Sequence, residues 1–311
     1  MLKAPHQTPQ NILLGVTLIV VTAFAISVQD VVFKLFSSEL TLWQIFALRG
    51  CLAVPVLFAI AFAQKGAWAN VRSAFSRWSM LRAVFITGTF LAFYGAIPFL
   101  SLSTVGAANY TAPLFVALLS AYVIKEPVGW LGWVGVVIGF AGVIVLLQPG
   151  TDAFSVWALL PIFGAVSYAL AHIITRTKCQ GVPLAALSLA QNSAMLCAGL
   201  VVSLILLLSE PGSAFVRDYP YIFGLWSPVG IDDWMVLSVL AGFAILLGMM
   251  LAGAYKAAPP SIVATFEYSY LVFVAAWDVL FFGLVLGVST LGGMALIVLA
   301  GLLVLRRGSG S

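Results

Sequence analysis

Ten stretches of about twenty nearly all-apolar residues follow one another along this chain, separated by short polar segments: 11 to 33, 40 to 63, 80 to 98, 103 to 123, 130 to 148, 154 to 174, 183 to 208, 234 to 256, 260 to 282 and 288 to 305. A helix needs roughly 20 such residues to cross about 30 Å of hydrocarbon, and it pairs every backbone N–H and C=O within itself. Strands of a membrane barrel alternate apolar and polar residues, and these runs do not. The sequence therefore predicts an all-α membrane protein of ten transmembrane helices. Composition excludes the soluble alternative, because a chain that is 63% hydrophobic and 8% charged has more apolar surface than one core can hide.

Lys3 precedes an apolar run containing Ala23-Phe24-Ala25, which resembles a signal-peptide cleavage site. The run continues past that point and has an internal counterpart, so a first span is the expectation. Gly308 to Ser311 (GSGS) read as an appended tail. The net charge of +4 reflects topology rather than affinity for nucleic acid. With ten spans and both termini inside, Lys3, Lys65, Arg72, Arg77, Arg82, Lys125, Arg176, Lys178, Lys256, Arg306 and Arg307 fall on the cytoplasmic side. Lys34 and Arg217 fall outside, as the positive-inside rule expects. Cys51 and Cys197 lie in spans and Cys179 on an inner loop, so no outer pair is available for a disulfide.

The chain is written twice. A shift of 142 residues lays the first two spans over the sixth and seventh, so that Asp30 meets His172, Lys34 meets Arg176 and Arg49 meets Gln191. A shift of 158 lays spans three to five over eight to ten, with NYTAPLFVALLSAYVIKE (109 to 126) over EYSYLVFVAAWDVLFFGL (267 to 284). The extra 16 residues fall in the long outer loop between the seventh and eighth spans. Five spans per half is an odd number, so the second half enters the membrane upside down. The prediction is two inverted five-helix repeats, 11–148 and 154–305, with cytoplasmic tails at 1–10 and 306–311, and a substrate site between the halves near the midplane.

The N-Y-T-A-P-L-F segment of the fourth span, Lys125-Glu126-Pro127 after it, and the TFEYSYLVF segment of the ninth resemble the drug/metabolite transporter superfamily, EamA type, over about residues 10 to 305. Size and layout are similar to the YddG-type aromatic amino acid exporters. That resemblance implies export of aromatic and other neutral amino acids across a bacterial inner membrane. One departure is plain: where the family ends the ninth span with Gly-Glu, Gly283 is followed here by Leu284.

Polar residues recurring at spacings of three and four mark the cavity faces. They are Glu267, Tyr270, Val274 and Asp278 on the ninth span, with Asn109, Ala112, Val116 and Ser120 on the fourth. Ala23, Ser27, Asp30 and Lys34 on the first match Ala165, Ala169, His172 and Arg176 on the sixth. Depth sorts them into an inner layer (Glu267, His172, Arg176) and an outer one (Asn109, Asp30, Lys34, Asp278), around an aromatic middle of Tyr94, Tyr168 and Tyr270. An ionisable residue inside a span costs about 2.5 to 3.5 kcal/mol to insert and is a functional candidate by default. Glu267 can carry a proton or grip an ammonium group; the alternative is a structural ion pair with Lys256 or Arg176. Tyr94, Asn109, Tyr168, His172, Asn192, Glu267, Tyr268 and Tyr270 are the candidate substrate contacts, and Asp30, Lys34, Arg49, Arg176 and Asp278 the candidate gating or proton-coupling residues. Gln191 is expected to bond another helix.

The expected function is secondary transport of small amphipathic metabolites by alternating access, with no cofactor or metal, by a monomer or weak homodimer. A broader drug/metabolite exporter, an uptake carrier, a channel, and an intramembrane enzyme on lipid substrates are the alternatives. The last needs a nucleophile-base or metal-ligand group that His6 and His172 cannot form together.

Overall fold

The structure, a computed structural model, describes residues 11–35, 40–96, 109–126, 128–147, 157, 159–209, 213–282 and 287–308. Among these residues every regular element is helical. The long helices are α1 (Ile12–Leu35), α2 (Leu42–Ala63), α4 (Arg77–Ala96), α6 (Trp130–Leu147), α7 (Leu159–Lys178), α8 (Leu184–Ser209), α11 (Ile231–Ala257) and α14 (Val288–Gly308). Shorter are α3 (Ala67–Ala74), α5 (Ala112–Leu119), α9 (Ser213–Asp218), α10 (Pro220–Phe223), α12 (Pro260–Glu267) and α13 (Ser269–Phe282). Seven candidate membrane spans meet the length and hydropathy needed to cross; Ala112–Ile124, Trp130–Val145 and Leu291–Ala300 are shorter apolar helices. The first residues of the predicted fourth span, 103 to 108, and the predicted tail 1–10 lie outside the described residues.

Local signals set the helix ends. The Asn11 side chain accepts from Leu14 N at 2.9 Å and caps α1, while Asn11 N donates to Ala257 O at 2.9 Å, fastening the start of α1 to the end of α11. Asp233 Oδ2 accepts from Gly230 N at 2.8 Å where α11 begins. Pro259-Pro260 stops α11 and opens α12, so the chain reverses within two residues.

Alanines and glycines line the interior, among them Ala165, Ala169, Ala171, Ala185 and Ala186, and let backbones approach closely. Large apolar side chains such as Leu204, Ile205 and Leu208 on α8 and Leu302 on α14 point outward, where hydrocarbon would meet them. The most extensively packed pairs are α6 with α14, α2 with α8, α4 with α7 and α1 with α11; α8 with α11 and α5 with α12 pack less extensively. Exchanging α1 for α7, α2 for α8, α4 for α11, α5 for α12 and α6 for α14 returns the four most extensive pairs, while α8 with α11 has no comparable counterpart in α2 with α4.

Two departures from regular helix follow. The predicted ninth span crosses as one stretch, Pro260–Phe281, with a single tight turn at Tyr268 (φ -59°, ψ -19°) between α12 and α13, and the Tyr268 ring lies so close to α6 that a Cβ on Gly139 would sit 2.5 and 2.6 Å from ring carbons. Gly142 likewise meets Gly293 and Ile297, so these two span-five glycines serve packing within the bundle. At the end of α5 the chain passes through a π-helical turn, Ser120–Ile124, into Lys125 at φ 61°, a left-handed conformation unusual for a residue with a side chain.

Candidate functional site

Glu267 ends α12, and Oε1 accepts hydrogen bonds from two hydroxyls, Tyr168 Oη of α7 and Tyr255 Oη of α11, each at 2.7 Å. Between those phenols lies the His172 ring, stacked on Tyr255 at 3.8 Å between centroids and tilted against Tyr168 at 4.2 Å. His172 is fully buried, and neither ring nitrogen has a hydrogen-bond partner among the described residues. The alternative, an ion pair of Glu267 with Lys256 or Arg176, is not formed among the described residues. Arg176 Nε and Nη2 both lie 3.0 Å from Glu126 Oε1, and Lys256 Nζ donates to Val182 O at 2.7 Å. A carboxyl held by neutral donors beside an unsatisfied imidazole can bind a cation or exchange a proton, because an orphaned buried polar group costs about 1 to 3 kcal/mol until something satisfies it.

Arg176 closes one end of the bundle. It joins the end of α5, through Glu126, to the end of α11, through a 2.8 Å bond from Nη1 to Lys256 O. Gln180 adds bonds to Arg176 O at 3.1 Å and to Lys256 O at 3.3 Å. The π turn and left-handed Lys125 turn Glu126 toward Arg176, with Glu126 N bonded to Ser120 O at 3.2 Å.

Arg82, one of the cations assigned to the cytoplasmic side, is wholly buried. Its Nε donates to Thr175 Oγ1 at 2.7 Å, and Nη1 reaches Leu187 O and Gln191 Oε1 at 3.4 Å each. The run beginning at Arg77 carries it one turn inside α4, too deep to reach water.

A cavity of about 60 Å³ lies toward the opposite end, lined by Gln29, Leu42, Ile45, Phe46, Arg49, Tyr94, Tyr221 and Leu240. The segment after α8 covers it: Gln44 Nε2 donates to Ser227 O at 2.7 Å, Ser227 N donates to Gln44 Oε1 at 3.0 Å, and Trp43 Nε1 donates to Ile222 O at 2.7 Å.

The structure thus divides the predicted aromatic middle. Tyr94 packs on Phe46 in the cavity wall, Tyr168 holds Glu267, and Tyr270 stacks on Tyr110 at 6.2 Å. Tyr268 is fully buried, and its hydroxyl donates to Tyr110 O at 3.4 Å. Asn109 is half-buried ahead of α5, and Asn192 donates to Ser188 O at 3.0 Å within its own helix. Asp30 and Lys34 fall on α1 and Asp278 on α13, with side chains outside the described part of the structure. Tyr255, Arg82 and Tyr221 escape the sequence reading. For Tyr255 a signal existed, because the two-residue reversal at Pro259-Pro260 folds the end of α11 against α12.

Comparison with known proteins agrees with this fold. A profile described as the EamA-like transporter family matches residues 13–148. An uncharacterized transporter of Helicobacter pylori is 30% identical over 221 residues, 69% of this chain and 68% of that protein. An S-adenosylmethionine uptake transporter of Rickettsia prowazekii is 34% identical over 74 residues, and the match spans 25% of that relative's length. A riboflavin transporter of Rhizobium johnstonii is 24% identical over 169 residues, 54% of this chain and 56% of that protein. A crystal structure superposes with a TM-score of 0.74 at 18% identity, covering 95% of this chain and 97% of that one.

Proposed function

Because this chain belongs to the EamA-like transporter family, we propose that it is a secondary transporter of small amphipathic metabolites, exporting aromatic and other neutral amino acids across a bacterial inner membrane by alternating access. The substrate class and direction rest on the YddG-type resemblance. The observation that carries a transport site is the buried carboxyl of Glu267, held by two tyrosine hydroxyls beside a histidine with no partner among the described residues.

The arrangement we propose is ten spans in two inverted five-span repeats with both termini cytoplasmic. The exchange symmetry of the four most extensively packed pairs supports it, and so does Tyr110 against Tyr268, residues 158 apart that the repeat register superposes and that touch in the structure. In this topology the Arg176 bonds close the cytoplasmic end and the Arg49 cavity faces outward. Glu267 alternates between a proton and the substrate ammonium, and His172 bonds whichever polar group enters. An enzymatic reading loses ground because the family and the relatives are transporters.

Purified protein in proteoliposomes, given radiolabelled tryptophan or phenylalanine with and without an imposed pH gradient, tests the proposal. Gradient-dependent accumulation is expected; uptake indifferent to the gradient would leave Glu267 a binding role only, and no uptake of either would defeat the amino acid assignment. The relatives named as S-adenosylmethionine uptake and riboflavin transporters favour a second reading, an uptake carrier for larger heteroaromatic metabolites, tested by labelled forms of those two compounds in the same vesicles.

A further inference from the structure

Arg49 sits on α2 with its guanidinium facing the cavity, and its described partners are weak ones. Nη2 lies 3.6 Å from Met195 Sδ, and the guanidinium carbon is 5.5 Å from the Phe46 ring centroid. Among the described side chains, which do not include that of Asp30, no carboxylate meets it. Thioether sulfur is a poor acceptor, and a guanidinium has five N–H donors in a planar fork that matches a carboxylate. A cation taken out of water is retained only with strong compensation, and here that compensation is incomplete in the protein alone.

The repeat sharpens the point. The shift of 142 places Arg49 on Gln191, and the shift of 158 places Arg82 on Leu240. Gln191 receives the Arg82 guanidinium at one end, while Leu240 lines the Arg49 cavity at the other. Each end therefore holds one guanidinium against the same pair of matched positions, carried by α4 in one half and by α2 in the other. The Arg82 group bonds Thr175, Leu187 and Gln191 through Nε and Nη1 and keeps Nη2 buried without a partner among the described residues, whereas the Arg49 group faces a cavity with room for about four waters. Tyr94 and Tyr221 line that space, and the bonds from Gln44 and Trp43 hold the Tyr221 segment over it.

We propose that Arg49 is the carboxylate anchor of a ligand site on the outward side, covered in this structure by the Tyr221 segment and widened when a ligand enters, taking small organic acids with an aromatic or apolar body, the acid group on the guanidinium and the body against Phe46, Tyr94 and Tyr221. This rests on the transporter reading for its physiological ligand, and it names the group by which that ligand is recognised. It also separates acid-bearing substrates from neutral ones of similar size.

The test reads the ligand-induced rise in melting temperature of the purified full-length protein in detergent, with four probes: phenylalanine, 3-phenylpropionate, phenylalaninamide and phenethylamine. Both acids stabilise the protein, and the amide and the amine bind at least about tenfold more weakly. Arg49→Gln loses about tenfold or more in apparent affinity for the acids, and Arg49→Lys, which keeps the charge but not the planar fork, loses a smaller part of it and serves if the glutamine variant does not fold. Equal stabilisation by acids and amide, acid affinities unchanged in Arg49→Gln, or no stabilisation by either acid would each overturn the anchor. Acids that bind through Arg49 without being transported defeat the transport reading alone; phenylalanine uptake by Arg49→Gln at wild-type affinity defeats the anchor alone.

Discussion

The two ends of the bundle are built from matching positions and finished differently. At one end Glu267, Tyr168, Tyr255, Arg82 and Arg176 are bonded to one another or to backbone carbonyls, across α4, α7, α11 and α12. At the other, Arg49 stands in a cavity with a sulfur and a ring for company. In the proposed inverted repeat the scaffold gives two equivalent places for a charge, and the side chains make them differ. The proposed alternating access needs such a difference, because a carrier with both ends alike has no closed side.

The comparison breaks first at Glu267. Glu267→Gln keeps the shape and an amide oxygen that can accept both phenol bonds, but it cannot ionise or carry a proton, and transport in proteoliposomes is expected to fall on the order of 100-fold. Near-normal flux would reduce the inner cluster to scaffold and leave the cavity at Arg49 as the working site.

Opening the inner end comes next. Cys179 is fully buried there, and burial pushes its thiol above the ordinary range, with Arg82 and Lys256 pulling it partly back. The thiolate is the reacting form, so at neutral pH a maleimide labels the closed end slowly, and faster as pH rises. In a background with Cys51 and Cys197 changed to serine, Glu126→Gln weakens the Arg176 clasp, readmits water, brings the thiol down and speeds labelling at pH 7 by about tenfold, one pH unit of thiolate. An unchanged rate would show that Arg176 does not close this end.

Two smaller effects concern the irregular helices that shape it. Gly139→Ala drives a methyl into the Tyr268 ring and is expected to cost about 1 to 3 kcal/mol, seen as a lower melting temperature in detergent. Lys125→Gly relieves the left-handed backbone and stabilises by about 1 kcal/mol in the same assay, with Cys179 labelling unchanged.

Much of the fold was legible because hydrocarbon imposes a simple rule on length: the predicted spans starting at 11, 40, 130, 183 and 288 match helices starting at Ile12, Leu42, Trp130, Leu184 and Val288. Tyr110 and Tyr268, which the proposed offset of 158 superposes, touch in the structure. The turn at Tyr268 was not legible, because no proline or glycine marks it within the run. Arg82 lay inside its predicted span, and its burial against α7 and α8 comes from tertiary packing that assigning cations to a side does not reveal.

Sidedness tests the central claim most directly. With Cys51 and Cys197 replaced by serine, a membrane-impermeant maleimide is applied to intact cells and to inside-out vesicles carrying either Gln29→Cys, with Cys179 also replaced by serine, or the native Cys179. Gln29→Cys is expected to label rapidly from the outer face alone, and Cys179 slowly and from the inner face alone, faster once Glu126→Gln is added. Labelling of both positions from one face, or rapid labelling of Cys179 in the unaltered clasp, would contradict a carrier with its Arg49 cavity on the outward side and its closed end at Arg176.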